Sequence, residues 1–268
     1  MVSNNFFTEE LSDPRFESNG LRYITIKSTA LKSRGDITVF VPAGELLTKN
    51  LPVVILLHGV YGSHWAWSSK AGVHLTAQKL IDSGQIKPMI LAMPSDGLFR
   101  DGSGYLNQNQ TNYEDWIVQD VRLALINLIP SVSSESVFFI SGLSMGGYGA
   151  LRLGAKYPQV FKSFSGLSSI TEFDQIGRFY EPETFHELAD AVIQPESVLE
   201  NILLNREKIG PFRFDCGQDD ELIKANRALH TALKKHGITH VFEELTGQHD
   251  WAYWEKAIGK SLIFFSSL

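Results

Sequence analysis

A serine set between glycines, Gly142-Leu143-Ser144-Met145-Gly146 with Gly147 after it, is the segment best suited to nucleophilic chemistry. A serine hydroxyl is a weak nucleophile, so it has to be held on a sharp turn and paired with a base. The flanks supply that setting, because Val137–Ser141 reads as a buried strand and Met145–Lys156 as a helix with small residues on its first turns. Glycines two residues either side keep side chains out of the crowded turn. The helix N-terminus directs its N–H groups and dipole at the place where negative charge would develop. This is the context of a nucleophile elbow, and the chemistry it serves is acyl transfer through a covalent serine ester.

Such a serine needs a base oriented by an acid, expected in the chain order Ser, acid, His on loops after later strands. His58, His64 and His74 precede Ser144 and do not suit that order. His186 lies in an irregular interval, His230 and His236 fall on a helical pattern where solvated roles are expected, and His240 begins a strand. His249, in Gly247-Gln248-His249-Asp250-Trp251, follows the strand Val241–Leu245 and precedes the last helix, where the general base belongs. The acid should follow Phe212–Cys216, where Asp219, Asp220 and Glu221 stand in a row. Glu221 is read as opening the next helix, and spacing does not choose between Asp219 and Asp220. An oxyanion hole takes two backbone N–H groups. Met145 should provide one, and Val60, in His58-Gly59-Val60-Tyr61-Gly62, the other, with Tyr61 as second choice. His58 reads as a structural brace for that loop. Among aromatics near these loops, Tyr61, Trp65 and Trp251 form the expected substrate-binding set, whereas Trp67 and Trp254 are expected to pack helices on the sheet. Phe179, Tyr180 and Phe185 either close over the site or form a small core of their own.

Positioning these residues takes an alternating array. Leu21–Lys27 and Ile37–Val41 alternate apolar and polar, as an opening antiparallel pair would. Val53–Leu57 and Met89–Met93 are short and nearly all apolar, which suits strands buried on both faces of a parallel sheet. Val137–Ile140, Lys162–Ser165, Phe212–Cys216 and Val241–Leu245 continue the series. Helical spacing marks Tyr113–Ile129, Met145–Lys156, Glu221–His236 and Trp251–Phe265. The expected fold is therefore α/β, with a mostly parallel sheet flanked by helices. Residues 172–210 carry no strand signal and are too long for an ordinary connection, so they read as a helical insertion over the active-site end of one domain spanning 1–268.

With 24 Lys plus Arg against 30 Asp plus Glu, the net charge of −6 and the lack of any basic block speak against nucleic acid or anionic membrane as partner. A composition of 43% hydrophobic and 20% charged residues places the chain among globular proteins. The lone Cys216 allows no internal disulfide. The N-terminus carries acids where a signal peptide would carry Lys or Arg, and no apolar run reaches membrane length, so a cytoplasmic location is expected. The histidines show no metal-ligand spacing, and the chemistry requires neither metal nor organic cofactor. The partner expected is a small-molecule ester; homo-oligomerisation is left open by the sequence.

Several ordered motifs identify a family. His58-Gly59-x-x-Gly62 with Trp67, the Asn112-Tyr113-Glu114-Asp115 helix start, Gly142 to Gly149, Asp215-Cys216-Gly217-x-x-Asp220-x-Leu222 and Gly247-x-His249-Asp250-Trp251-x-x-Trp254 together resemble the esterase D and tributyrin esterase-like branch of the α/β-hydrolases. The resemblance runs from about residue 20 to the C-terminus. It implies an α/β-hydrolase fold, a serine carboxylesterase activity on short-chain acyl, carbohydrate or aryl esters, and Asp220 as the acid. The branch also holds feruloyl and acetyl-xylan esterases, S-formylglutathione hydrolases and the antigen 85 acyltransferases. Formylglutathione hydrolases carry a cysteine in the oxyanion loop, and Gly59–Ser63 has none. The alternatives are an acyltransferase using the same triad, a formylglutathione hydrolase-like thioesterase and, least favoured because all three triad positions are filled, a non-catalytic binding protein of this fold.

Overall fold

The computed structural model describes residues 6–268. The acidic N-terminal stretch read above begins at Met1, and its first five residues lie outside that range. β1 (Glu9–Leu11), β2 (Leu21–Ser28) and β3 (Ser33–Phe40) run antiparallel, with Leu21 opposite Phe40 and Ser28 opposite Ser33. The alternation expected of an opening antiparallel pair is what β2 shows: Ile24 and Ile26 are buried while Tyr23 and Lys27 face water. The three residues of β1 are too few to carry such a pattern, so the strand has no signature in the sequence.

β4 (Val53–Leu57) follows, then α1 (Ala66–Ala71) and α2 (Val73–Asp82), separated by Gly72 in the left-handed region at φ 53°. β5 (Ile90–Pro94) leads through a long loop to α3 (Tyr113–Asp115), a π-helical turn at Trp116–Val121 and α4 (Arg122–Leu128). These three fill the span read as one helix. β6 (Phe138–Leu143), α5 (Met145–Lys156) and β7 (Phe161–Leu167) come next. Residues 172–210 contain no strand; they form a 3-10 turn at Phe173–Arg178, α6 (Pro182–Ala191) and α7 (Val198–Leu204). β8 (Phe212–Gly217), α8 (Ile223–Lys235), β9 (Val241–Leu245) and α9 (Trp251–Ser266) complete the chain.

The nine strands of the described residues form one sheet in the order β1-β2-β3-β5-β4-β6-β7-β8-β9, parallel from β5 onward. β4 shows why its sequence has no polar positions. Val53, Ile55 and Leu57 feed the core shared with α4, α5 and α8, while Val54 and Leu56 feed the opposite core, under Trp67, Val73 and Ile258. Loops leaving the carboxyl ends of β4, β6, β8 and β9 therefore emerge side by side, at the sheet end where open α/β folds place their ligands.

Candidate active site

β6 ends at Leu143 and α5 begins at Met145, so Ser144 alone makes the turn. Its backbone stands at φ 54°, ψ −119°, a conformation that costs a non-glycine residue about 1–3 kcal/mol and persists only when its surroundings enforce it. They do. Ser144 N–H donates to Leu167 O at 3.0 Å, and Ser144 O accepts from Tyr148 N–H at 3.0 Å and Ile170 N–H at 3.2 Å. A Cβ on Gly142 would lie 2.2 Å from Gly146 O, and one on Gly146 would lie 2.3 Å from Leu57 O, so both flanking positions have room only for hydrogen.

Ser144 Oγ lies 3.0 Å from His249 Nε2, and His249 Nδ1 lies 3.0 and 3.1 Å from the two Asp220 oxygens. Only a donor suits an ionised carboxylate, so the proton belongs on Nδ1, which leaves Nε2 to accept the serine hydroxyl. Asp220 is 2% exposed whereas Asp219 is exposed, and Asp219 supplies only its backbone N–H, to Gly247 O. The helix expected to start at Glu221 starts at Ile223. Residues 218–222 are instead a turn that aims Asp220 inward, with Leu222 N–H donating to its Oδ1 at 2.8 Å. Burial raises the Asp220 pKa, but the hydrogen bond and charge of His249 and the Leu222 N–H outweigh it, and the carboxyl titrates below its usual range.

Val60 and Met145 have no hydrogen-bond acceptor for their N–H groups among the described residues, whereas Tyr61 N–H is committed to Asp101 O at 2.8 Å. Of the two loop donors weighed from the sequence, Val60 is the one left free. His58, 1% exposed, braces this loop through Nδ1, which donates to Gly59 O at 2.7 Å, and Nε2, which accepts Asp96 N–H at 3.0 Å.

The aromatic surroundings differ from the expected set. Phe179 stacks on the His249 ring at 4.9 Å and 22°, and Trp254 meets the same ring edge-on at 4.9 Å and 89°. Trp254, expected only to pack a helix, thus also flanks the imidazole. Trp251 sits one step out, edge-on to Trp67 and Trp254, and Trp65 is exposed at the start of α1. Trp67 is a packing residue as expected, its Nε1 donating to Leu57 O at 3.0 Å. Tyr61 reaches across the site, its hydroxyl donating to Phe179 O at 2.7 Å. The two readings of the insertion aromatics divide: Phe179 covers the site, while Phe185 packs with Phe173 and Tyr180. Sequence offers no cue for the Phe179–His249 contact, because it joins segments 70 residues apart with no shared motif.

Behind the elbow, α5 carries the fully buried Arg152. It donates to Glu114, to Glu196 at 2.8 Å and to Tyr105 O, while Lys156 adds bonds to both carboxylates. This cluster ties the serine helix to the start of α3 and to the insertion.

A parallel sheet that presents a serine on a strand-to-helix turn, with a histidine and an acid on later loops, defines an α/β-hydrolase. The chain matches the family described as "Putative esterase" over residues 28–265; it belongs to that family and is a carboxylic ester hydrolase. It is 28% identical over 240 residues to an acetyl esterase of Caldicellulosiruptor saccharolyticus, a match covering 82% of this chain and 85% of that one. Among solved structures it resembles a ferulic acid esterase (TM-score 0.78, 24% identity, 98% and 99% of the two chains). It also resembles the S-formylglutathione hydrolase of Staphylococcus aureus (TM-score 0.78, 20% identity, 96% and 99%).

Proposed function

We propose that the chain is a serine esterase cleaving short-chain acyl esters of carbohydrate or aryl alcohols, with Ser144, His249 and Asp220 as its triad. The observation that carries this reading is the unbroken hydrogen-bond relay from Ser144 Oγ through His249 to Asp220. Ser144 Oγ attacks the ester carbonyl as His249 Nε2 takes its proton, and Asp220 stabilises the imidazolium and holds the tautomer. The N–H groups of Val60 and Met145 bind the oxyanion, each worth about a hundred- to a thousandfold in rate. His249 then protonates the departing alcohol. Water, deprotonated by the same nitrogen, cleaves the acyl-enzyme and regenerates Ser144. Ser144 is 2% exposed and its partner His249 is covered by the Phe179 ring, which favours a small acyl group. The acetyl esterase relative and the ferulic acid esterase neighbour support the choice of substrate class. The absence of a cysteine in Gly59–Ser63 counts against glutathione thioesters.

The test is hydrolysis of p-nitrophenyl esters from acetate to octanoate by the wild type and Ser144→Ala. Turnover should favour the shortest chains and fall about a millionfold in the variant. A folded wild type with no turnover, or a variant that retains it, overturns the proposal.

A further inference from the structure

A second concave surface lies beside the loop that joins β5 to α3. It is a cleft of about 420 Å3, bounded by the turn after β2, the loop Asn107–Asn112, the start of the following helix and Ile193. Its lining is dominated by carboxamides: Asn107, Gln108, Asn109, Gln110, Asn112 and Gln119. Three of these have structural work. Asn107 Oδ1 accepts Glu114 N–H at 3.0 Å, Asn112 Oδ1 accepts Asp115 N–H at 3.0 Å, and Gln119 Nε2 donates to Asp115 Oδ1 at 2.7 Å. No side-chain hydrogen bond accounts for the other three among the described residues. Gln108 is the telling one. It is 7% exposed, it lines the cleft, and its Nε2 has no partner. A buried donor left unmatched costs about 1–3 kcal/mol, and a turn of the Gln108 amide toward the cleft would let a ligand acceptor relieve it.

The lining also sets the ligand's chemistry. Each carboxamide offers donors and an acceptor together, which matches a hydroxyl that both gives and takes. The charged groups of the lining are Asp115, Asp120 and one exposed cation, Lys32, and the acids are already committed: Asp120 Oδ2 accepts from Ser28 Oγ at 2.5 Å and Ala30 N–H at 3.2 Å, and Asp115 is held by Asn112 and Gln119. Ile193, 64% exposed, adds an apolar face for ring C–H groups. A smaller cavity of about 140 Å3 shares Asn107 and Ile193 and extends the groove toward Lys156. The loop is anchored at the catalytic end, where Gly102 O accepts the Tyr180 hydroxyl at 2.6 Å and Tyr180 in turn contacts Met145. We infer that this cleft is a carbohydrate subsite, holding neutral sugar units at a distance from the bond cleaved at Ser144. It rests on the carbohydrate-ester reading only for its role, since the binding itself is independent of catalysis.

The test titrates xylo-, cello- and mannohexaose, with an oligogalacturonate as charged control, into the full chain, followed by calorimetry and by side-chain amide signals in 15N NMR. At least one neutral oligosaccharide should bind and shift the carboxamide signals of Gln108, Asn109 and Gln110. Ser144→Ala should bind equally. Asn109→Ala/Gln110→Ala, both at exposed positions, should bind about tenfold or more weakly while melting like the wild type. Gln108→Leu, which removes the buried donor, should also bind about tenfold or more weakly. Binding by no neutral member, or unchanged binding by the surface double variant or by Gln108→Leu, overturns the subsite. Ester hydrolysis is scored separately, so loss of the subsite and loss of the esterase reading are told apart.

Discussion

Replacing Asp220 by asparagine tests the relay at its most buried acid. Leu222 N–H donates to Oδ1, so in the variant the amide oxygen keeps that position and the NH2 group takes the place of Oδ2, 3.0 Å from His249 Nδ1. An NH2 there donates, and Nδ1 must become the acceptor. The imidazole proton moves to Nε2, which then faces Ser144 Oγ as a donor and cannot take its proton. The geometry survives while the tautomer is wrong, a change worth about 10⁴-fold in kcat, or about 5 kcal/mol of barrier. Asp219→Asn is the internal control, since that carboxylate is exposed and engages no catalytic atom; it should alter the rate by less than about twofold. The assay is kcat/KM for p-nitrophenyl acetate, with thermal melting to confirm the fold. An Asp220→Asn enzyme that keeps more than a tenth of its activity, or a comparable loss in Asp219→Asn, refutes the tautomer argument.

Three further outcomes are expected. Phe179→Ala removes the ring stacked on His249 and should lower kcat/KM about 2- to 12-fold, the worth of one aromatic pairing that positions the imidazole, on phenyl and methyl acetates alike; steady-state kinetics on the two esters checks it. Gly142→Ala would place a methyl group 2.2 Å from Gly146 O, backbone that has nowhere to go, so the variant should be insoluble or melt far below the wild type. Burial pushes the Glu114 carboxyl up, but Arg152 and Lys156 outweigh it and hold it below the ordinary value of 4.5. The folded chain thus binds fewer protons there than the unfolded one, so this contribution is whole above pH 4.5 and fades as pH falls through the depressed value. Arg152→Met leaves that carboxylate buried without its main partner and should cost about 3–5 kcal/mol at neutral pH, with a smaller further loss on acidification, read from melting curves.

What the sequence made legible was local. The elbow is readable because strand, Gly-x-Ser-x-Gly and helix are contiguous, and His249 because it sits between a strand and a helix of clear periodicity. Asp220 needed more, because Asp219 and Asp220 differ only in which way a five-residue turn points them; the family pattern favoured Asp220, and the burial of its carboxylate gives the physical difference. α1 and α2 went unread because Gly72 divides sixteen residues into pieces too short for a sustained helical pattern. The π turn at Trp116–Val121 leaves the apolar residues close to ordinary helical spacing, so the span read as one helix. The Arg152 cluster and the Phe179 roof join residues from distant segments by side-chain contact alone. No period in the chain encodes such pairings.

Tyr61 joins two parts that chemistry would treat as separate. Its N–H is fastened to Asp101, its backbone sits at φ 58° beside the free Val60 N–H, and its hydroxyl holds Phe179 above His249. The segment that carries the ring over His249 and the loop that carries the Val60 N–H are therefore fastened to each other through one residue. Withdrawing the Phe179 backbone would break that hydrogen bond, worth about 0.5–1.5 kcal/mol, whereas turning the ring alone about its side-chain torsions would leave it intact.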